Sequence, residues 1–556
     1  MTLAPPDAGI DTPALRKARG AFFTPAPIAR FLARWAVREA GERVLEPAAG
    51  EAAFLVPVVE RLRELGGSGA SPTVDGVEIH EASARRARRL VQDAGGRARI
   101  RVQDFFRIEA AADYDAVVGN PPFIRYQEFT GELRRLARNA AARSGVRLSG
   151  LASSWAAFTV HASRFLRPGG RLALVLPAEL LSVNYAAPVR ALLLERFARV
   201  ELVLFRERLF PEAETETLLL LASGAGSGPA EGAVFRHARG PAGLERVSAG
   251  RSWRPARPGD KWLGGLVTRR ASEPLRLLEE QGRFTRLAEW GRTALGIVTG
   301  ANGYFAMSPA RARGLGIGEE ELLPLSPPGS SHLRGLEFTA QELERLGEAG
   351  RATRLFSPAE TMSPAAARYV RRGERAGVHR AYKCRARRVW YRVPLADPAD
   401  LLLTYMNADA PRLTDNRAGA RHLNSVHGVY LHPRLRETGR ALLPLASLNS
   451  VTLLAAELVG RSYGGGVLKL EPREADEWLV PAPGLLERCR GALDEARAPV
   501  AALLRDGRLA GAVRLVDELV LRDGAGLDEG QIAPVRAARQ ELAARRAARG
   551  TRRGRA

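Results

Sequence analysis

The chain has 556 residues, a length that calls for two or three domains rather than one small core. Apolar residues make up 46 % of it, and no apolar run approaches the roughly 18 residues of a membrane-spanning helix, which excludes a disordered polymer and a single-helix anchor. The net charge is +23, and two cysteines, Cys384 and Cys489, are too few for a disulfide framework or a thiolate metal cluster, consistent with the cytoplasm.

Only four of the 84 cations are lysines, an arginine bias of the kind a GC-rich coding sequence produces. That bias explains arginine over lysine but not the excess over acids. Residues 1–225 hold 31 basic and 25 acidic side chains, whereas residues 226–556 hold 53 and 36. The charge therefore sits mainly in the second half, as expected for a polyanion-binding part joined to a nearly balanced one. The first residues (MTLAPPDAGI) lack a basic stretch followed by an apolar one, so no secretory leader is expected.

In residues 1–225, short β-rich apolar runs fall at 43–45, 73–79, 99–104, 114–118, 170–176, 200–205 and 215–222. Helical spacing falls between most of them, at 25–40, 51–65, 81–94, 152–167 and 186–197. Strand–helix alternation with wholly apolar strands predicts a mostly parallel α/β sheet. The last two strands lack a helix between them and are expected to form an antiparallel hairpin at one edge. Gly, Pro, Ser and Arg crowd the next stretch, which reads as a linker over 226–262. A mixed α+β domain is expected over 263–490, a helical segment over 491–535, and a basic tail over 536–556, with eight arginines against Glu541, expected to be disordered.

Chemistry concentrates where strands of the first part end. Asn120-Pro121-Pro122-Phe123 follows the strand ending Val117-Val118, and ligands of an open α/β sheet bind at such carboxyl ends. Two prolines fix the backbone and remove two N–H donors, so the Asn120 amide oxygen and the Pro121 carbonyl can both accept from an amino group. Phe123 offers a flat face to a planar base. Leu45-Glu46-Pro47-Ala48-Ala49-Gly50 ends the first strand and opens a helix, a place for close backbone approach and for an anionic group. Glu78 ends the second strand, where an acid suits ribose hydroxyls. Asp104-Phe105 ends the third, an acceptor for an adenine amino group beside a ring to cover it. Phe22-Phe23-Thr24-Pro25 precedes the first helix, with Thr24 a natural N-cap and Pro25 a natural first residue.

In this order, Phe22–Pro25, Glu46–Gly50, Glu78, Asp104-Phe105 and Asn120–Phe123 resemble the motifs of the gamma-class (TaqI-type) N6-adenine DNA methyltransferases of restriction–modification systems. Ser154–Phe158, Pro168–Pro177 and residues 178–222, including Phe210–Ala213, are similar to the rest of that family's catalytic domain. The resemblance implies a Rossmann-like domain with a mostly parallel seven-stranded sheet over 1–225, followed by a target-recognition domain. It implies S-adenosylmethionine as methyl donor, held by Thr24, Glu46, Pro47, Ala48, Gly50, Glu78, Asp104 and Phe105. It implies double-stranded DNA as substrate, with an adenine flipped out and its N6 gripped by Asn120 and Pro121. Tyr185 is the candidate for a second ring against that base.

For DNA contact in the second half, the candidates are Arg387, Arg388, Trp390 and Tyr391, a basic–aromatic cluster, together with Gly464, Gly465 and Lys469. His422, His427 and His432 are irregularly spaced and read as loop residues, so no metal site is expected. None of the four lysines follows an acid two residues earlier, as a PD-(D/E)xK nuclease needs, and few residues precede Phe22. Methylation without cleavage is therefore expected, by a monomer, with a separately encoded restriction endonuclease as the system partner. Families that methylate a guanine N2 of ribosomal RNA or a glutamine amide share Asn-Pro-Pro-aromatic. The segment Phe22–Pro25 and the basic second half favour DNA.

Overall fold

A computed structural model describes residues 24–67, 69–205, 207, 216–247, 249–463 and 466–547; Phe22, Phe23, Phe210–Ala213, Gly464, Gly465 and 548–556 lie outside the described residues. The chain divides into two units between Leu266 and Val267.

The first unit opens with α1 (Ala26–Ala36), β1 (Val44–Glu46), α2 (Leu55–Gly66), β2 (Thr73–Glu78), α3 (Glu81–Asp93), β3 (Arg97–Val102) and β4 (Tyr114–Gly119). Then come α4 (Gly131–Ala142), α5 (Ser154–Ser163), β5 (Leu166–Pro177), α6 (Glu179–Ser182), α7 (Ala187–Arg196), β6 (Phe197–Phe205) and β7 (Thr217–Ala225). Two further strands, β8 (Ala233–Ala238) and β9 (Arg251–Trp253), complete a nine-stranded sheet of order 3-2-1-4-5-7-6-8-9. Strands β1 to β5 are parallel, and β7 runs antiparallel to both β5 and β6. The order turns back between β1 and β4, which places a crevice at their carboxyl ends.

At the centre of the sheet both faces are covered, which is why β4, the start of β7 and Leu172–Leu176 of β5 read as continuous apolar runs, whereas β3 at the edge buries Ile100 alone. Along β4, Ala116 and Val118 join the core shared with α1, α2 and α3, while Val117 joins the core shared with α5 and α7. Along β5, Ala173 and Val175 face the first core, and Leu172, Leu174 and Leu176 the second.

Three expectations need correction. The sheet has nine strands rather than seven, because the stretch expected as a linker folds onto it. β8 pairs in parallel with β6 from Val200↔Ala233 to Phe205↔Ala238, and β9 pairs with β8. Phe235 and Trp262 are the apolar anchors, both fully buried in the second core. Gly265 permits this, since a Cβ there would fall 2.1 Å from the Phe235 ring. The β6–β7 pair is antiparallel as expected, but β7 lies inside the sheet between β5 and β6 rather than at an edge. Helix α4 is an addition to the expected elements: its buried face is only Ala137, Ala140 and Ala141, which leaves no large apolar stripe to read.

The second unit holds small antiparallel sheets, the largest of four strands, with helices Arg269–Glu280, Pro364–Arg375, Arg436–Ala446 and Ser450–Val459. The C-terminal helices are not a separate segment: Leu493, Val516 and Ile532 share one core with Val267, Leu401 and Leu442. Nor is the expected tail a tail throughout. Helix Glu529–Ala547 runs through its first half, and buried Arg546 pairs with Glu457 at 2.8 Å and donates to the Ala408 carbonyl at 3.1 Å. His427 lies on the strand Val426–Leu431 rather than in a loop, and His422, in a loop as expected, is buried too. Nε2 of His427 lies 2.8 Å from the Leu470 carbonyl, and burial pushes the His422 imidazole down to about 4. No group of metal-ligating side chains forms among the described residues. Among those residues, no single helix is long and apolar enough to cross a membrane.

Candidate active site

The ends of β1, β2, β3 and β4 bring together the acids and the amide that the strand pattern singled out. The turn after β1 is fastened to the end of β2: the Ala49 amide donates to the Val77 carbonyl at 2.8 Å, and the Gly50 amide donates to Glu78 Oε2 at 2.8 Å. Gly50 takes a left-handed φ of 50°. So does Ala52, at 64° the non-glycine with positive φ among the described residues, in the same turn. Strained backbone of this kind persists where the surroundings hold it in place.

Glu78 Oε1 also accepts from the His80 amide at 2.9 Å. A carboxylate offers about four lone-pair positions, so both oxygens retain capacity for a ligand's hydroxyls. The next residue, Ile79, is 53 % exposed, an apolar surface at the rim that sequence reasoning did not single out. Its signal was its place, directly after the strand-ending acid.

Glu46 is placed differently from the expectation. It is 1 % exposed and its Oε2 accepts from the Leu55 amide at 3.0 Å, at the start of α2. It therefore fastens the turn rather than facing a ligand. Burial, reinforced by the nearby Glu78 charge, holds its carboxyl well above the usual range, and the Leu55 amide opposes that shift. A raised folded-state value means that stability is fully present below the ordinary value of about 4.5 and is lost as pH rises above it. Glu46→Gln keeps the acceptor without the charge. Its melting temperature relative to wild type should therefore climb as pH is raised from 4.5 to 7, whereas a constant difference would refute a protonated Glu46.

Asp104 caps the short turn Phe105–Arg107 by accepting from the Phe106 amide at 2.8 Å through Oδ1. The Phe105 ring is only 4 % exposed and packs against Phe158, His161 and Phe165, with centroids 4.8, 4.7 and 5.1 Å away. It is a core ring in this structure, a correction to its expected role as a cover. Thr24 does not cap α1: the helix has Pro25 at its cap position, and the Thr24 hydroxyl accepts from Asn120 Nδ2 at 3.2 Å. Tyr185 is similarly committed. Its hydroxyl donates to Glu179 at 2.5 Å and accepts from the Trp155 indole at 3.1 Å, and burial together with the Glu179 charge raises its pKa.

Asn120 is the outstanding group. Its Nδ2 is used by Thr24, while its Oδ1 is buried and has no hydrogen-bond partner among the described residues. An orphan buried acceptor of this kind costs free energy unless a ligand's donor completes it.

Two supports of the site went unread in the sequence, and both sit on α5. The Ser154 hydroxyl donates to the Pro122 carbonyl and accepts from the Ile124 amide at 2.8 Å, bracketing the Asn-Pro-Pro-Phe turn. Seven residues on, and so on the same helix face, fully buried His161 places Nε2 3.2 Å from the Phe105 carbonyl and 3.1 Å from the Ile108 carbonyl. Carbonyls only accept, so Nε2 carries the proton, and burial keeps the ring neutral by pushing its pKa to about 4. One helix face thus holds the turns after β3 and β4. Ser154→Ala should lower kcat about tenfold or more with little change in cofactor affinity, and Ser154→Thr should restore most of it; an unchanged kcat in Ser154→Ala would dismiss the support.

The candidates of the second unit are largely spent on the fold. Arg387 donates to the Val298 and Thr299 carbonyls at 2.8 and 2.7 Å, the Trp390 indole donates to Glu374 at 3.2 Å, and the Tyr391 ring packs edge-on against Trp390. Lys469 pairs with Glu471 at 2.7 Å. Arg388 is exposed.

The strand order with its reversed β7, the acids ending β2 and β3, and Asn-Pro-Pro-Phe after β4 define a Rossmann-like methyltransferase. Residues 12–234 match the family model described as N-6 DNA Methylase, and residues 259–521 match that of the Type II methyltransferase M.Eco57I, C-terminal domain. The chain thus joins an N6-adenine DNA methylase domain to an M.Eco57I-type C-terminal domain and is an N6-adenine DNA methyltransferase. It is 22 % identical over 490 residues to the Type II methyltransferase M.AccI of Acinetobacter calcoaceticus, covering 85 % of this chain and 87 % of that protein. It is 25 % identical over 488 residues to the Type II methyltransferase M.XamI of Xanthomonas campestris pv. amaranthicola, covering 83 % and 85 %. Its fold is similar to that of the Type IIL restriction–modification enzyme MmeI, with a TM-score of 0.55 at 11 % identity, over 91 % of this chain and 73 % of that one.

Proposed function

We propose that the chain is the modification enzyme of a restriction–modification system, transferring the methyl group of S-adenosylmethionine to N6 of an adenine turned out of duplex DNA at a specific site. The observation that carries this reading is the buried, unpartnered Asn120 Oδ1 at the end of β4.

The donor set at the strand ends fits S-adenosylmethionine. Glu78 retains acceptor capacity for two ribose hydroxyls, Asp104 Oδ2 can accept from an adenine amino group, and Ile79 offers an apolar face. The turn Glu46–Gly50, with Pro47 and Ala48, and the Thr24 hydroxyl border the place of the methionine part. When bound, the cofactor supplies an electrophilic methyl group on a sulfonium sulfur.

Asn120 Oδ1 accepts one N6 hydrogen and the Pro121 carbonyl the other. Accepting both would draw the nitrogen toward tetrahedral geometry and free its lone pair from the ring, poised for the methyl group that a bound cofactor would supply. Thr24, by accepting from Nδ2, holds the amide in the orientation that aims Oδ1 at the substrate. Ser154 holds the turn, and Phe123 supplies the flat face for the base. Orientation and preorganised acceptors are the catalysis, and no covalent enzyme intermediate is needed. The second unit reads sequence, and the enzyme works as a cytoplasmic monomer beside a separately encoded endonuclease.

The test is modification-sensitive long-read sequencing of DNA from cells that express the chain, against cells expressing Asn120→Ala. N6-methyladenine at one recurring motif, present only with the intact chain, is the expected result. Unmodified DNA in both would overturn the substrate.

A further inference from the structure

Helix Pro364–Arg375 sorts its residues by face. Ala365, Ala366, Tyr369, Val370 and Gly373 are buried. Arg368, Arg371, Arg372 and Arg375 are exposed, at the three- and four-residue spacing that lines up one helix face. The chain then makes the turn Val378–Arg380 and the short helix Tyr382–Arg385, with the same division. Cys384 points inward to the Thr299 carbonyl, while Arg380, Lys383, Arg385 and Arg388 are exposed. Tyr382 is 72 % exposed, with the Lys383 ammonium 5.5 Å from its ring centroid.

Between residues 364 and 392 there are ten cations and one acid, Glu374, which accepts from the Trp390 indole. Two of the ten are spent: Arg392 on Glu360 and Arg387 on backbone carbonyls. No carboxylate among the described residues lies within ion-pair distance of the other eight. The contrast within the same unit is sharp. On helix Arg269–Glu280, Arg269 meets Glu273 at 3.0 Å and Arg276 meets Glu280 at 2.6 Å. Arginine bias does not account for the difference, because it does not remove acids. A like-charged face repels itself and weakens the fold that carries it, so its use lies in a polyanion that neutralises it.

We propose that this face is a phosphate-gripping surface for duplex DNA, with Arg371, Arg372, Arg375, Arg380, Lys383 and Arg385 on successive phosphates and the Tyr382 hydroxyl donating to one of them. The proposal rests on the reading of DNA as the substrate and deepens it. Backbone contact of this kind sets the position of the duplex without reading sequence. Arg387 and Trp390, the cluster that drew attention in the sequence, support this surface from beneath.

The experiment measures binding of the full chain to a 30-base-pair duplex of arbitrary sequence across a range of salt concentrations. The test variant combines Arg371→Ser, Arg375→Ser, Arg380→Ser and Arg385→Ser. A control of equal charge combines Arg269→Ser, Arg276→Ser, Arg505→Ser and Arg522→Ser. Removing one phosphate-binding cation should lower the slope of log affinity against log salt by about 0.9. The test variant should therefore drop by about 3.6 units of slope, and at least about tenfold in affinity at 0.1 M salt, with cofactor binding and melting temperature unchanged. The control should keep most of both. Equal decreases in the two variants, or none in the test variant while wild type binds DNA, would overturn the surface. Wild type that binds structured RNA but not duplex DNA would overturn the substrate reading itself.

Discussion

Asn120→Ala should abolish methyl transfer and, unusually for the loss of a buried polar side chain, leave the protein as stable as wild type or more so. The catalytic half of this expectation follows from the two acceptors on N6. Alanine leaves the Pro121 carbonyl to hold one hydrogen, and the lone pair then stays conjugated with the ring. Loss of one preorganised group at a reacting centre costs about a hundredfold to a thousandfold in rate, and kcat should fall at least that far. The cofactor groups Glu78 and Asp104 are untouched, so cofactor affinity measured by calorimetry should hold. The stability half follows from the orphan oxygen. A buried acceptor without a partner costs about 1–3 kcal/mol, and alanine removes it, at the expense of one 3.2 Å bond to Thr24. The melting temperature without DNA should stay or rise. A variant that loses activity and also melts well below wild type would mean that Asn120 is a structural residue whose loss disables the site indirectly.

How far the sequence could be read depended on where each interaction partner lies. The central strands were legible because both faces of the sheet are covered there, which makes residues such as Ala116–Val118 and Leu172–Leu176 apolar without interruption. The ends of β2, β3 and β4 carried Glu78, Asp104 and Asn120 in plain view, since each lies at its strand's last residue or just beyond it. Glu46 looked equivalent but is not. Whether an acid at a strand end faces the crevice or turns back to the next helix is settled by an amide nine residues on, at Leu55. Ser154 and His161 were beyond reach for the same reason, as their partners lie 30 and 56 residues away. In the second unit, the cluster Arg387–Tyr391 had the right composition for DNA contact, yet the carbonyl of Thr299, 88 residues earlier, claims the Arg387 guanidinium. Lys469 was a nearer miss, because Glu471 sits on the same side of the chain two residues on. Short elements hid best. β8 and β9 lie among Gly, Pro and Arg residues, and only Phe235, Trp253 and Trp262 hinted that the stretch was anchored.

That last error turns into a prediction. A chain shortened after Leu266 should fold and bind cofactor, whereas one shortened after Ala230 should not, although both keep every candidate catalytic residue. Ending at Leu266 preserves all nine strands of the sheet. Ending at Ala230 strips β8 from β6 along a ladder from Val200 to Phe205 and leaves that apolar edge open to other chains. It also removes Phe235 and Trp262, both fully buried, and large aromatic deletions from a core cost about 3–5 kcal/mol each. Arg190 loses the Gly259 carbonyl that accepts from it at 2.9 and 3.1 Å. Against a typical total stability of about 5–15 kcal/mol, those losses together are decisive. The shorter fragment should be insoluble or unfolded, and the longer one soluble, with a cooperative melt and cofactor affinity near that of the full chain. The longer fragment should also bind DNA weakly and without sequence preference, because the arginine-rich surface of the second unit is gone. A soluble, cofactor-binding fragment ending at Ala230 would make β8 and β9 dispensable additions to a seven-stranded sheet. Undiminished site-specific DNA binding by the fragment ending at Leu266 would place sequence recognition in the first unit.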